Sequence, residues 1–361
     1  MTSKERVRKT LLHEKTDRVP INFYANPTIQ RKLCEVCGIP DNQESVLQYF
    51  GVDSRQLFPD PAEIYRGRSL FRQIPGLSVD PVYGFHSRWI ENEFGGYQDF
   101  CEFPLKDASS DTIAAFPVPD PEDFDFGSTD MLLKRYKDKA IYIGSPGFCD
   151  IINSTGRVMG MEDTLVNMAF EDEATIRYIK RKVQFEVGYL ERIFEEVKKA
   201  GEVVDLLWIG EDLGTQIAPI ISMELFRKVI KPMIKLYIDL ADSYRAPVMV
   251  HTCGSSSWAY EDFIEMGVRA VDTLQPESAN MSPNYLVDEF GGRLSFHGCI
   301  STAGALSQGS AEEVEEECRR TLEIMMPAGG YHFAPTHLIQ DNTPVENIIA
   351  MYDSVYKYGF Y

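Results

Sequence analysis

At 361 residues with 44% hydrophobic side chains, the chain is long enough to bury a large core and falls in the length range of a single α/β barrel with insertions. A formal net charge of −19 argues against nucleic acid or an anionic membrane surface as partner, and no apolar run approaches the roughly 20 residues needed to span a bilayer. Seven cysteines, an odd number behind a charged helical start unlike a signal peptide, read as reduced thiols of a cytoplasmic protein.

In chain order, Thr2-x-x-Glu5 is a capping box for a first helix, and residues 19–24 read as a first barrel strand. Cys34-x-x-Cys37 lies in a helical run and has no second pair to make a metal site. Residues 54–129 are rich in Pro, Phe and Asp with weak periodicity. They are expected to form an irregular insertion over the barrel mouth within one domain spanning 1–361. Inside it, Gly95-Gly96-Tyr97 is a candidate lid turn, with Tyr97 a wall toward substrate or cofactor. Ile176, Ile179, Val183, Val187, Leu190, Phe194 and Val197 mark a long amphipathic helix. Pro232 is expected to break residues 223–244 into two helices.

The later strand-like runs each end in polar residues. Residues 203–209 lead into Glu211 and Asp212, 247–250 into His251 and Cys253, and 270–274 into Gln275; 294–296 lead into His297 and Cys299, and 331–334 into His337. Alternation of strand-like and helical runs is the mark of an α/β fold, and in a TIM (β/α)8 barrel the carboxyl ends converge on one mouth where active sites sit. Two helices close the chain. Ser310-x-x-Glu313 caps one with Cys318 in its buried stripe, and Thr343-Pro344-x-Glu346 is read as the start of the last. Glu315-Glu316-Glu317 reads as a solvated helix face.

His251 and Cys253, two residues apart on a strand, point to the same side and offer an imidazole and a thiolate together. That pair suits zinc, and a third ligand must come from elsewhere, with His337 and Cys299 the candidates. Glu211 and Asp212 are candidates for metal ligation or proton transfer, while His297 and Gln275 are candidates for contact with the reacting molecule. His332, inside its strand, reads as structural. No glycine-rich phosphate loop follows a strand.

Several segments together resemble the uroporphyrinogen decarboxylase superfamily, and within it the branch of corrinoid-dependent methyltransferases. They are Glu14-Lys15-Thr16-Asp17-Arg18-Val19-Pro20, Gly160-Met161-Glu162-Asp163, and Trp208-Ile209-Gly210-Glu211-Asp212-Leu213-Gly214-Thr215-Gln216. Further on come Phe226 to Pro232, His251-Thr252-Cys253-Gly254, Phe296-His297-Gly298, and Gly329-Gly330-Tyr331 through Pro335-Thr336-His337 to Thr343-Pro344-x-Glu346-Asn347.

The resemblance implies a TIM barrel and, in the methyltransferase branch, a zinc ion bound by His-x-Cys and a later Cys. Here His337 stands at the position of that later Cys, which favours His337 over Cys299 as the third ligand. It further implies a corrinoid (methylcobamide) cofactor carried by a partner protein, and a small methylated substrate or thiol as the other reactant. The decarboxylases carry an arginine-rich N-terminal segment for a polycarboxylate, whereas residues 18–27 hold Arg18 alone. Porphyrinogen decarboxylation is therefore disfavoured. A decarboxylase of a tetrapyrrole-like or small carboxylate, or a non-catalytic ligand-binding relic of the same fold, are the alternatives to methyl transfer.

Overall fold

The computed structural model describes all residues, 1–361. Ten strands are present: β1 (Ser54–Gln56), β2 (Ser78–Val79), β3 (His86–Asn92), β4 (Gly95–Cys101), β5 (Ala140–Ile143), β6 (Leu206–Gly210), β7 (Val248–Thr252), β8 (Ala270–Thr273), β9 (Ser295–Ile300) and β10 (Tyr331–Pro335). Seven form one parallel sheet in the order β1-β5-β6-β7-β8-β9-β10. The first barrel segment closes it. Ile21 bridges Phe333 in parallel, Asn22 N donates to Phe333 O at 3.0 Å, and Asp53 N donates to Ile21 O at 3.0 Å on the other side. Counted with that segment the fold is an eight-stranded α/β barrel, as the sequence predicts.

Strand alternation sorts the side chains into two cores. Ala140, Tyr142, Leu206, Trp208, Met249 and Ala270 face inward and meet Val7 and Leu11 of the helix Ser3–Leu11, which plugs one end of the barrel. That helix keeps its Thr2/Glu5 capping box. Ile141, Leu207, Ile209, Val248, Val250, Val271 and Phe296 face outward and join a core of 79 buried residues beneath the helices. Each such side chain contributes about 1.5–3 kcal/mol on leaving water. Asp53 pins the first barrel segment, accepting from Arg6 Nη1 at 2.6 Å, Arg18 Nη1 at 2.8 Å and Ile21 N at 2.8 Å.

Four expectations need correction. The stretch expected to be irregular from residue 54 begins with a barrel strand, β1, and carries the three-stranded antiparallel sheet β2-β3-β4. The tip of its β3-β4 hairpin meets the loop after β10: Lys32 Nζ bridges Phe94 O at 3.3 Å and Asp341 O at 3.2 Å, and Gly96 N donates to Asp341 Oδ2 at 3.4 Å. Pro232 stands in the first turn of a separate α-helix, Lys231–Ser243, as the expected division requires, but the chain before it stays helical instead of breaking. The preceding Phe226–Ile230 widens into a π turn before Lys231–Ser243 continues, relieving the clash of the proline ring with the turn below. Thr343 does not cap the last helix, Val345–Tyr358, whose cap position is Pro344. Glu317 is only half-exposed, and its carboxylate turns inward to accept Ser301 N and Ala305 N at 3.2 and 3.3 Å. All seven cysteines are free, and Cys318 is buried in the helix Ala311–Met325. No helix is long and apolar enough to cross a membrane.

Candidate functional site

The carboxyl ends of β6 and β7 are drawn together by two glycines. A Cβ on Gly214 would lie 2.4 Å from Ser255 N, and one on Gly254, at φ +71°, would lie 2.4 Å from Gly214 O. Only bare backbone allows this approach. It sets Asp212 against the His251-Thr252-Cys253 segment, where Cys253 N donates to Asp212 Oδ1 at 2.9 Å. One donor atom each of Asp212, His251 and Cys253 lies within 4.8 Å of the others. Cys253 Sγ is 3.4 Å and Asp212 Oδ1 3.9 Å from His251 Nε2. Ligand atoms sharing one tetrahedral zinc stand roughly 3.3–3.8 Å apart, given bonds of about 2.0–2.3 Å. The donor set and its spacing fit such an ion.

Asp272 organises two imidazoles. Its Oδ2 accepts His251 Nδ1 at 2.6 Å and its Oδ1 accepts His297 Nδ1 at 2.5 Å. Burial alone would raise its pKa, but the two rings outweigh that and hold the carboxyl well below the usual range. His251 is thereby fixed with Nε2 toward Asp212 and Cys253, the orientation seen when a carboxylate supports a metal-bound histidine. Burial disfavours its charged form, yet the thiolate of Cys253 and then Asp272 raise its pKa well above the ordinary value. The Cys253 thiol is itself raised, by burial first, against the lowering effect of His251. These two groups compete for one proton, a proton that a metal ion bound between them would displace. Asn22 Oδ1 accepts Phe23 N at 2.9 Å, so its amide nitrogen faces His297 Nε2 at 3.0 Å. That contact makes Nε2 the acceptor and leaves the proton of His297 on Nδ1.

Backbone strain concentrates here. Thr273 has φ +89° and Leu274 +57°, opposite Gly298 at +121° and Cys299 at +69°. A β-branched residue at positive φ is a true outlier, and such residues cluster at functional sites. The turn brings Thr273 Oγ1 to 2.9 Å from His251 Nδ1. It also defeats the alternation expected of β9: His297 faces the barrel interior, but Cys299 lines a cavity of about 900 Å³ with Glu277, Ser301 and Thr321, on the helix side. Cys299 therefore stands apart from the cluster, and burial pushes its thiol well up.

The remaining sequence candidates are placed as follows. The ring of His337 lies 6.3 Å from that of His251, centroid to centroid, and burial lowers its pKa. Glu211 is fully buried, accepts Ile151 N and Ile152 N at 3.1 Å each, and so holds the start of the helix Ile152–Met159. Burial and then Asp150 push its pKa well up. Gln275 Oε1 accepts Gly254 N at 2.7 Å, propping the His-Thr-Cys-Gly turn. Tyr97 is exposed on β4 and makes no hydrogen bond or aromatic contact with the cluster. His332 is buried inside the barrel, its ring 6.0 Å from His297.

Three participants escape sequence reasoning. Asp272 is an acid in the middle of an apolar strand, which is a signal in itself. Asn153, whose Nδ2 donates to Asp212 Oδ2 at 2.8 Å and Asp150 Oδ2 at 3.0 Å, gives no signal. Asn22 lies in a predicted strand, and only barrel closure brings it to His297.

An eight-stranded barrel with a His, Cys and Asp cluster at its mouth defines the class. The particular family follows from comparison: the family described as uroporphyrinogen decarboxylase (URO-D) matches residues 157–358. The chain belongs to that family. A solved structure described as a methyltransferase from Methanosarcina mazei shares the fold with TM-score 0.67 at 15% identity, covering 99% of each chain. Another, of an uncharacterized protein, reaches TM-score 0.26 at 13% identity over 48% of this chain and 45% of its own, too little to bear on the fold. No curated protein matches.

Proposed function

We propose that this protein is a zinc-dependent methyltransferase that moves a methyl group between a small substrate or thiol and a corrinoid carried by a separate protein. The observation that carries this reading is the donor set of Asp212, His251 and Cys253, gathered within 4.8 Å at the strand ends of the barrel. Family membership and the shared fold of a neighbour named methyltransferase support it. These three residues would hold the metal. A zinc ion bound there supplies Lewis acidity, stabilising negative charge on a sulfur or oxygen that gains or loses a methyl group.

The chain's own residues supply the rest. Asp272 locks the tautomer of His251 and orients it. His297 holds its proton on Nδ1 against Asp272, so Nε2 is free to take a proton once the Asn22 amide yields it. Tyr24, stacked on His297 at 6.4 Å, and Trp208, 5.8 Å from it, wall this group off from water. Arg18 cannot serve a polycarboxylate, because it is buried against Asp53. Porphyrinogen decarboxylation lacks its cationic grip.

The test is metal analysis together with a screen of methyl donors against a cobalt(I) corrinoid, followed by the absorbance change on methylation. Close to one zinc per chain, lost in the His251→Ala/Cys253→Ala double variant with circular dichroism unchanged, is expected. Zinc retained by that variant, or no methylation from any alcohol, amine, ether or thioether donor, would overturn the reading.

A further inference from the structure

Backbone pairing between the first barrel segment and β1 stops at the bond from Asp53 N to Ile21 O. Beyond it the two part, and a cavity of about 410 Å³ opens between them, within the size range of small-molecule sites. Its inner wall is made by Asn22, Tyr24, Tyr142 and Trp208. Two of these also border the catalytic candidates, since Tyr24 stacks on His297 and the Trp208 ring lies 5.8 Å from it.

Two features of this cavity remain unsatisfied by the protein. Trp208 is only 6% exposed, and its Nε1 is buried without a hydrogen-bond partner. Buried donors in native proteins are nearly always paired, so an orphan on a cavity wall points to an acceptor brought by a ligand or water. At the rim, Arg55 pairs with Glu44, with Nε to Oε2 at 2.8 Å and Nη2 to Oε1 at 2.9 Å. Arg135, beside them, makes no ion pair and only lies over its neighbour Tyr136, 5.7 Å from the ring centroid. Glu44 is the one carboxylate lining this cavity and its charge is shared between Arg55 and Arg135, so the rim carries one guanidinium in surplus. In a chain of net charge −19 such a surplus selects an organic anion, and the planar fork of Arg135 matches a carboxylate.

We propose that this cavity binds a benzoate-sized aromatic carboxylate bearing an oxygen substituent. The carboxylate pairs with Arg135, the ring lies against Tyr142 and Trp208, and the substituent oxygen accepts from the indole N–H. This names the substrate class of the methyl-transfer reading and rests on it for the reaction, whereas the binding stands on the cavity alone.

Calorimetric titration of the purified protein with 4-methoxybenzoate and with uncharged 4-methoxybenzyl alcohol tests it. The acid is expected to bind at least tenfold more tightly and to change the indole emission. Arg135→Ala, an exposed change that leaves the core intact, should abolish the preference while sparing affinity for the alcohol. Trp208→Phe should weaken both several-fold. Equal affinity for acid and alcohol, a preference that survives in Arg135→Ala, or no binding at all would overturn the proposal. Binding of the acid without methylation of cobalt from any donor leaves the cavity assignment standing and sinks methyl transfer. Methylation from an unrelated donor with no acid binding does the reverse.

Discussion

His251 on β7 is the register partner of Asp272 on β8, and its Nδ1 lies 2.6 Å from the Asp272 carboxylate. Parallel pairing has thus placed an acid beside the one histidine whose other nitrogen faces Cys253 and Asp212. The acid fixes which nitrogen of His251 is free, and with it the direction of the lone pair offered to a metal.

Replacing Asp272 with Ala is therefore expected to lower zinc affinity by about 10–100-fold. It also leaves the buried Nδ1 of His297 without its acceptor, costing about 1–3 kcal/mol, whereas His251 Nδ1 keeps Thr273 Oγ1 at 2.9 Å. Chelator competition measures the first and urea unfolding the second. Unchanged zinc affinity would show that His251 is oriented by Thr273 instead.

The geometry ranks the third ligand. Asp212→Ala should deplete zinc to nearly the level of His251→Ala, because its carboxylate is the oxygen within reach of both other donors. His337→Ala should have the smaller effect, and Cys299→Ser, on the helix side of the barrel wall, none. Zinc measured by mass spectrometry after gel filtration decides the order. Loss of metal in Cys299→Ser would mean that β9 is wound differently from the arrangement described.

Zinc affinity should climb with pH. Both His251 and Cys253 have raised pKa values, and the proton they compete for is one that the metal must displace. Binding is therefore weakest in mild acid and strengthens as pH rises through neutrality toward the range where a thiol ionises. Affinity titrations at pH 6, 7 and 8 should show a steady rise accompanied by proton release. A flat profile would contradict proton competition at this pair.

Glu186, on the long helix Glu173–Lys199, makes the protein's stability pH-dependent. It is fully buried, accepts hydrogen bonds from the Tyr83 and Tyr237 hydroxyls, and burial first of all pushes its pKa up to about 7. A raised carboxyl pKa means the folded state holds a proton the unfolded state releases. Its stabilising contribution is full below about pH 4.5 and is lost as pH rises through about 7, an effect on the order of 3 kcal/mol. Glu186→Gln does not titrate. It should be less stable than the parent at pH 5, with the gap narrowing by pH 8 in denaturant unfolding. A gap independent of pH would mean that Glu186 is ionised throughout.

Much of this protein is written locally in its chain. Continuous apolar runs ending in His251, Cys253 and Asp212 are enough to place those residues at one mouth, because a parallel barrel brings every strand's carboxyl end to the same side. The caps at Thr2 and Ser310 are equally local, each closing a hydrogen bond within three residues. What the chain alone could not decide depends on contacts between distant segments. Cys299 shares the parity of His297, and only the left-handed residues at Gly298 and Cys299, set opposite Thr273, turn its thiol to the other face. Arg18 reads as a lone substrate cation until barrel closure buries it on Asp53, 35 residues away. Asp272 serves two imidazoles because β8 lies between β7 and β9, an adjacency that the order of strands in the sheet creates and no single strand encodes.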